Sequence, residues 1–177
     1  MRVLKIAVLI IIALSVLVFG IGAFLSKDFQ VERSIEIAAA PGVVFDEVNS
    51  LKNWKAWSPW LARDPSIQNT YSGPDSGVGA MVSWTSEKSG TGTQTITKTE
   101  RPKRIEIELD FGDMGQPTSA WTFEPSGDGT KVTWALSGEA AGPLGGYFAK
   151  MMDGWVGKDY DDGLARLKQV IESAPVE

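Results

Sequence analysis

The 177-residue sequence contains no cysteine and no histidine. Without cysteine, disulfide bonds, thiolate nucleophiles and zinc–cysteine sites are excluded. Without histidine, the commonest metal ligand and the usual general base are missing. Any catalysis would have to use carboxylate, Tyr, Lys, Ser or Thr side chains. We therefore expect neither a cofactor nor a metal ion.

Basic residues are also in short supply, since 17 Lys and Arg face 22 Asp and Glu, a net charge of −5. Two of the basic residues, Arg2 and Lys5, lie in an N-terminal segment unlike the rest, so the remainder carries a net charge of −7. Hydrophobic residues make up 43% and charged residues 22%, a balance typical of globular proteins. A negative surface repels phosphate backbones, so nucleic acid is not expected as a partner.

The N-terminal segment has the composition of a membrane span. Residues 6–25 carry no charge, and Ser15 is the only polar side chain among them. As a helix, twenty residues extend about 30 Å, enough to cross the hydrocarbon core of a bilayer. A cleaved signal peptide is one alternative, although Phe24 and Leu25 interrupt the small residues that a cleavage site needs. A buried helix of a soluble protein is the other.

We accordingly divide the chain into a transmembrane anchor, residues 1–27, and one domain, residues 28–177. Arg2, Lys5 and the amino terminus precede the span, whereas Lys27 and Asp28 nearly cancel after it. The tendency of positive charge to stay in the cytoplasm then predicts a single-pass protein with a cytoplasmic N-terminus. The domain is expected on the outer, periplasmic or extracytoplasmic, side, and its protein partners are unknown.

Seven segments of the domain have the pattern of strands. In the first, Phe29 to Ile37, apolar and polar residues alternate, and Arg33 falls on the apolar side, which suggests a strand end or a carboxylate partner. Six more strands separated by turn residues predict an antiparallel meander: residues 66–72, 79–85, 91–100, 105–111, 119–124 and 131–138.

Helices are predicted before and after these strands. Pro41 suits the first turn of a short helix that runs to about Asn49. A helical turn with Trp54 and Trp57 on one side follows, and a long helix runs from about Tyr147 to Ser173. Glycines at 154, 157 and 163 weaken that helix, so their presence needs a reason. Close approach of the helix to the sheet, or space left for something else, would supply one. One sheet and one long helix predict an α+β fold in which the sheet curls around the helix.

The order of these elements, together with particular residues, resembles the START-like superfamily, also called SRPBCC, and within it the bacterial polyketide cyclase/dehydrase and lipid-transport branch. The resemblance covers roughly residues 29 to 172. It rests on these segments: residues 31–37, Ala40-Pro41, Val44-Phe45, Trp54-Lys-Ala-Trp-Ser-Pro-Trp60, Asp64-Pro65, Gly73-Pro74, Gly77-Val-Gly79, Trp84, Gly90-Thr-Gly92 and Asp162-Gly-Leu-Ala-Arg-Leu-Lys168. The order and spacing of these segments match those of the superfamily.

The resemblance implies a helix-grip fold with a deep cavity between the sheet and the C-terminal helix. Members bind lipids, sterols, polyketides or other apolar molecules, and a minority are enzymes. The superfamily has no universal catalytic set, so no catalytic residue is carried over to this sequence.

Candidate ligand-binding residues are aromatic or apolar side chains expected to face the cavity or its entrance. They are Trp54, Trp57, Trp60, Tyr71, Trp84, Trp121, Trp134, Phe148, Met152 and Trp155. They could instead fill the interior completely, since each aromatic side chain buries about 150–250 Å². Trp54, Trp57 and Trp60 are interpreted either as a lid or as residues that fix the short helix to the sheet. Residues 142–146 are interpreted either as a flexible apolar gate that admits molecules from a bilayer or as an ordinary loop before the helix.

Three functions remain open. The sequence favours a noncatalytic, membrane-anchored module that binds or transports a hydrophobic small molecule. A cyclase or dehydratase is the second, with Tyr71, Asp153 or Glu139 as acid–base groups and at least one of them facing the cavity. A partner-binding structural domain is the third, and a broad exposed apolar patch would be its sign.

Overall fold

The computed structural model describes residues 2–174. Its first element, α1 (Arg2–Phe24), projects from the domain, and only Gly22 in it is buried. Among the described residues, α1 is the one helix long and apolar enough to cross a membrane. Length and composition alone support this, and a signal sequence would satisfy the same criteria.

A seven-stranded antiparallel sheet forms the body of the domain, in the order β1-β7-β6-β5-β4-β3-β2. The strands are β1 (Asp28–Ile37), β2 (Gln68–Ser72), β3 (Met81–Ser86), β4 (Gly90–Glu100), β5 (Arg104–Asp110), β6 (Thr118–Ser126) and β7 (Gly129–Glu139). Strands 2 to 7 form the predicted meander, and β1 pairs with β7 at the edge. A register shift between Ile96 and Lys98 marks a bulge in β4, which helps the sheet to curl.

The turn between β6 and β7 is tighter than its sequence suggests. A five-residue turn is predicted over residues 125–129, but Ser126 pairs directly with Gly129, and Pro125 belongs to β6. The pairing of β6 with β5 ends at Thr122, so β5 has no carbonyl opposite Pro125. Proline, which lacks an N–H, is therefore tolerated at this position of β6.

Short helices cross between β1 and β2. They are α2 (Pro41–Val48), a 3-10 turn (Asn53–Ala56) and α3 (Pro59–Arg63). The sequence predicts that Pro59 ends a helical turn, whereas it actually begins α3, where the Ser58 hydroxyl accepts a hydrogen bond from the Leu61 N–H. Proline favours the first turn of a helix because its missing N–H is not needed there.

The long helix α4 (Gly145–Ser173) packs along β1, and two of the three glycines named above, Gly157 and Gly163, allow this approach. A Cβ on Gly163 would lie 2.8 Å from the Trp134 ring, and one on Gly157 would collide with the Arg33 guanidinium. Arg33 bonds Asp153 at 2.8 Å and Asp161 at 3.3 Å, so this inward-facing charge has carboxylate partners. Nothing lies within 4 Å of a Cβ on Gly154.

Half of the interior is solid. Trp57 and Trp121 are fully buried, and Phe45 contacts Phe123 edge-on at 5.5 Å. Trp54 lies 4.6 Å from Trp57, and the indole N–H of Trp54 donates to the Val48 carbonyl at 2.9 Å. These side chains hold α2 and the 3-10 turn against β6 and β7. The other half of the interior, beside the first part of α4, is open.

Candidate ligand cavity

A cavity of about 800 Å³ lies between the sheet and the first half of α4. Strands β2 to β5 contribute one wall, through residues such as Val82 and Leu109. Helix α4 contributes the opposite wall through Met152, Val156 and Tyr160. Most of the lining side chains are apolar, and the volume falls within the range of about 300–1,000 Å³ that is usual for ligand sites.

The structure places six of the ten predicted site residues on this wall: Trp54, Trp60, Trp84, Trp134, Phe148 and Met152. Trp60 is half-buried, and its indole N–H donates to Asp159 at 3.1 Å, which ties α3 to α4. Trp134 stacks on Tyr160 with ring centroids 3.7 Å apart. That these residues bind a ligand stays a prediction.

The other four residues do not line the cavity. Trp57 and Trp121 are 0% exposed, because they fill the solid half of the interior. Tyr71 lines a separate pocket of about 50 Å³ beside Pro74. Trp155 is 52% exposed on the outer side of α4, where its ring lies 6.4 Å from Phe148. The deep burial of Trp54 and Trp57 favours the interpretation that they fix the short helical turn to the sheet over their interpretation as a lid.

Several lining residues were not among the sequence candidates. Leu109 and Phe111 end an alternating strand, so their inward direction was readable from the sequence.

Trp84 was a sequence candidate, but its position depends on a glycine in the neighbouring strand. A Cβ on Gly92 would lie 2.3 Å from the Trp84 ring, so only glycine at that position lets the indole lie across β4 toward Phe111.

A small group of polar atoms lies on the otherwise apolar wall. The Trp134 indole N–H donates to the Ser119 hydroxyl at 2.9 Å, and Ser119 and Tyr160 both line the cavity. Burial raises the pKa of the Tyr160 hydroxyl, and hydrogen bonding with Ser119 opposes the rise only in part. Tyr160 therefore remains protonated at neutral pH and available as a hydrogen-bond donor.

Asp64 fixes one side of the cavity wall. Its carboxylate accepts hydrogen bonds from the Ser66 N–H at 3.1 Å and from the Ser89 hydroxyl at 2.8 Å, and it is also bonded by Ser86. These bonds join the end of α3 to the β3–β4 turn, where Ser89 lines the cavity. Hydrogen bonds from Ser66, Ser86 and Ser89 hold the pKa of Asp64 far below its usual value, so the carboxylate stays charged.

One end of the cavity has exposed lining residues, which we call the mouth: Asp113, Met114, Glu139, Ala141, Gly142 and Phe148. Met114 is 69% and Phe148 47% exposed. The predicted gate, residues 142–146, overlaps the mouth at Gly142, and α4 already begins at Gly145. The connection between β7 and α4 is therefore residues 140–144, two residues earlier than the predicted gate.

Of the three acid–base candidates, only Glu139 lines the cavity, at its mouth. Asp153 is held by Arg33, which lowers the pKa of its carboxyl group. Tyr71 accepts a hydrogen bond from the Asn69 side chain at 3.3 Å beside the smaller pocket. Within residues 2–174, no three His, Cys, Asp or Glu side chains are placed to hold a metal ion.

Residues 28–172 match the family model described as polyketide cyclase/dehydrase and lipid transport. The chain belongs to this family. The matched residues begin at the first residue of β1, so α1 lies outside them. The predicted START-like resemblance is confirmed, and so is the helix-grip fold. The family description points to a hydrophobic ligand but assigns no particular one to this chain.

Solved structures share the fold at low sequence identity. A Thermus thermophilus protein has a TM-score of 0.61 at 20% identity and covers 83% of this chain and 99% of its own. A Rhodobacter sphaeroides protein has a TM-score of 0.61 at 18% identity, with 83% and 94% covered. A Chromobacterium violaceum protein has a TM-score of 0.57 at 15% identity, with 82% and 98% covered. No curated protein matches the sequence.

Proposed function

We propose that this family member binds or transports a hydrophobic small molecule, lipid or polyketide-like, and is anchored in a membrane by α1. The observation that carries the proposal is the cavity of about 800 Å³ with its mainly apolar wall. Burying apolar ligand surface in such a site contributes about 25 cal/mol per Å². The anchor is supported by the uncharged run of residues 6–25 and by the exposure of α1.

The polar atoms on the wall suggest which ligands fit. Tyr160 is 3% exposed and stays protonated, so its hydroxyl can donate a hydrogen bond to an oxygen atom of the ligand. Ser119, on β6, also lines the cavity and is hydrogen-bonded with Tyr160. A ligand with a carbonyl or hydroxyl group can form hydrogen bonds with this pair on an otherwise mainly apolar wall, which a pure hydrocarbon cannot do.

The orientation in the membrane is part of the proposal. Arg2 and Lys5 before the span support a cytoplasmic N-terminus, with residues 28–177 on the extracytoplasmic side. The chain is thereby divided into an anchor, residues 1–27, and a binding domain. Two carboxylates line the cavity, Glu139 and Asp113, and both are exposed at its mouth. Neither lies in the apolar interior of the cavity, so we favour a noncatalytic role.

Native mass spectrometry of the full chain, released from membranes in mild detergent, tests this function. We expect one copy of a hydrophobic molecule per chain, because the cavity is a single continuous space. Solvent extraction of the same sample identifies its chemical class. A chain that is bare after mild extraction, and that stays bare when incubated with total membrane lipid, would contradict the proposal.

A further inference from the structure

The N-terminal helix is joined to the mouth of the cavity by a set of close contacts. The Tyr147 hydroxyl donates to the Val18 carbonyl at 2.9 Å, and a Cβ on Gly22 would lie 3.1 Å from the Tyr147 ring. Leu25 packs so closely on Gly146 that a Cβ there would overlap it at 2.4 Å. We call these five residues the joint. It fixes the start of α4 against the end of α1.

The joint sets the depth of the mouth relative to a membrane. Val18 lies six residues before the end of α1 at Phe24, about 9 Å along the helix axis. Tyr147 reaches Val18 because helical side chains point toward the N-terminus of their helix. Its ring therefore lies beside Gly22 in the last turns of the span, and its hydroxyl reaches the turn before.

Helix α4 leads away from this level. Gly145 lies beside Lys27, Gly157 beside Arg33, and Lys168 donates to the Glu36 carbonyl, so α4 runs in the same direction as β1. Gly146 packs on Leu25 at the end of the span, and Phe148 is two residues farther, about 3 Å along the axis. The polar layer outside the hydrocarbon core is about 5–8 Å thick on each side. Phe148 falls within that layer.

From this geometry we infer that the mouth of the cavity lies in the outer interfacial layer of the bilayer, with Phe148 and Met114 in contact with lipid. Met114 belongs to the same end, because Gly115 packs on the Glu139 carbonyl and Glu139 pairs with Asp28. The inference rests on the proposed anchor. A ligand would then pass between bilayer and cavity without crossing water.

Charged groups at this end carry both signs: Lys27, Lys150, Asp28, Asp113 and Glu139. They supply no basic excess that would attract anionic lipid, so exposed apolar side chains are the basis of the contact. Zwitterionic phosphatidylcholine should therefore be sufficient, and a requirement for anionic lipid would contradict this basis.

Single-cysteine spin labels on the full chain in phosphatidylcholine nanodiscs test the inference. The absence of native cysteine makes each label unique. Labels replace Phe148 and Met114 at the mouth. The controls are Val43 and Val78, which are 56% and 58% exposed near the β4–β5 turn, at the opposite end of the sheet. A label at Ile10 reports on the anchor itself.

We expect collisions with a water-soluble nickel complex to be on the order of tenfold rarer at 148 and 114 than at 43 and 78, because lipid in contact with these side chains shields the labels from a polar reagent dissolved in water. If the Ile10 label is shielded from the nickel complex while the mouth labels collide with it as often as the controls do, the inference is wrong but the anchor is supported. A water-like Ile10 label would overturn both. Gly22→Leu, whose side chain meets Tyr147, should expose the mouth labels to the nickel complex while Ile10 stays lipid-like. Unchanged mouth labels in that variant would show that the joint does not set the depth.

Discussion

Replacing Leu109 and Val156 together by tryptophan should reduce the hydrophobic molecule that copurifies with the chain by at least about tenfold. Both side chains are half-buried and line the cavity from opposite walls. Two indole rings occupy space that the guest needs. Each CH₂ group that loses its buried position costs the complex about 0.8 kcal/mol, so two such groups exceed the 1.4 kcal/mol that corresponds to a factor of ten.

The matched control is Val43→Trp, which adds the same ring at an exposed position outside the cavity. It should leave the copurifying molecule unchanged. The double variant should also keep its thermal stability, because the new rings fill open space rather than a packed core. Retention of a full complement of ligand by a folded double variant would contradict the assignment of the site.

Trp134→Ala should lower the free energy of unfolding by about 3–5 kcal/mol, the usual cost of removing a large buried aromatic side chain. Trp134 is 2% exposed, stacks on Tyr160 at 3.7 Å and on Trp121 at 4.3 Å, and donates to Ser119. It separates the solid half of the interior from the cavity. Chemical denaturation of the detergent-solubilised full chain measures the effect.

Trp155→Ala is the control, since this tryptophan is 52% exposed on α4. Its removal should change the unfolding free energy by only about 0.5 kcal/mol, as is typical of surface substitutions. Equal losses in the two variants would mean that Trp134 does not support the core as described.

Alternation and turn residues were enough to predict most of the fold. In β1 the apolar side chains of Phe29, Val31 and Ile37 face inward as their spacing requires, and Arg33 meets its carboxylate partners on α4. The errors have local causes. Proline ends some elements and starts others, and at Pro59 the deciding feature is the Ser58 cap rather than the proline itself.

The cavity was less predictable than the fold, because aromatic residues that fill a core and aromatic residues that line a cavity have the same pattern. Trp121 and Trp134 are paired on the neighbouring strands β6 and β7, and both point inward, yet only Trp134 lines the cavity. The difference depends on where α4 lies, and that depends on contacts distant in sequence, such as Gly163 against Trp134. The resemblance to a cavity-bearing superfamily supplied what the spacing could not.

The contact between α1 and the domain had no signal in the sequence. Gly22 and Gly146 stand among many small residues, and Tyr147 is one of three tyrosines. Only the structure brings the three residues together beside the mouth. Side chains that meet across more than a hundred residues follow no local period, so no window along the chain reveals them.

The most direct test of the central claim is an experimental density map of the full chain purified with native lipid. The account predicts continuous elongated density between Tyr160 and Phe148, with an oxygen atom of the guest within hydrogen-bonding distance of the Tyr160 hydroxyl. A map in which α4 closes onto Leu109 and Trp84 and leaves no room for a guest would contradict it.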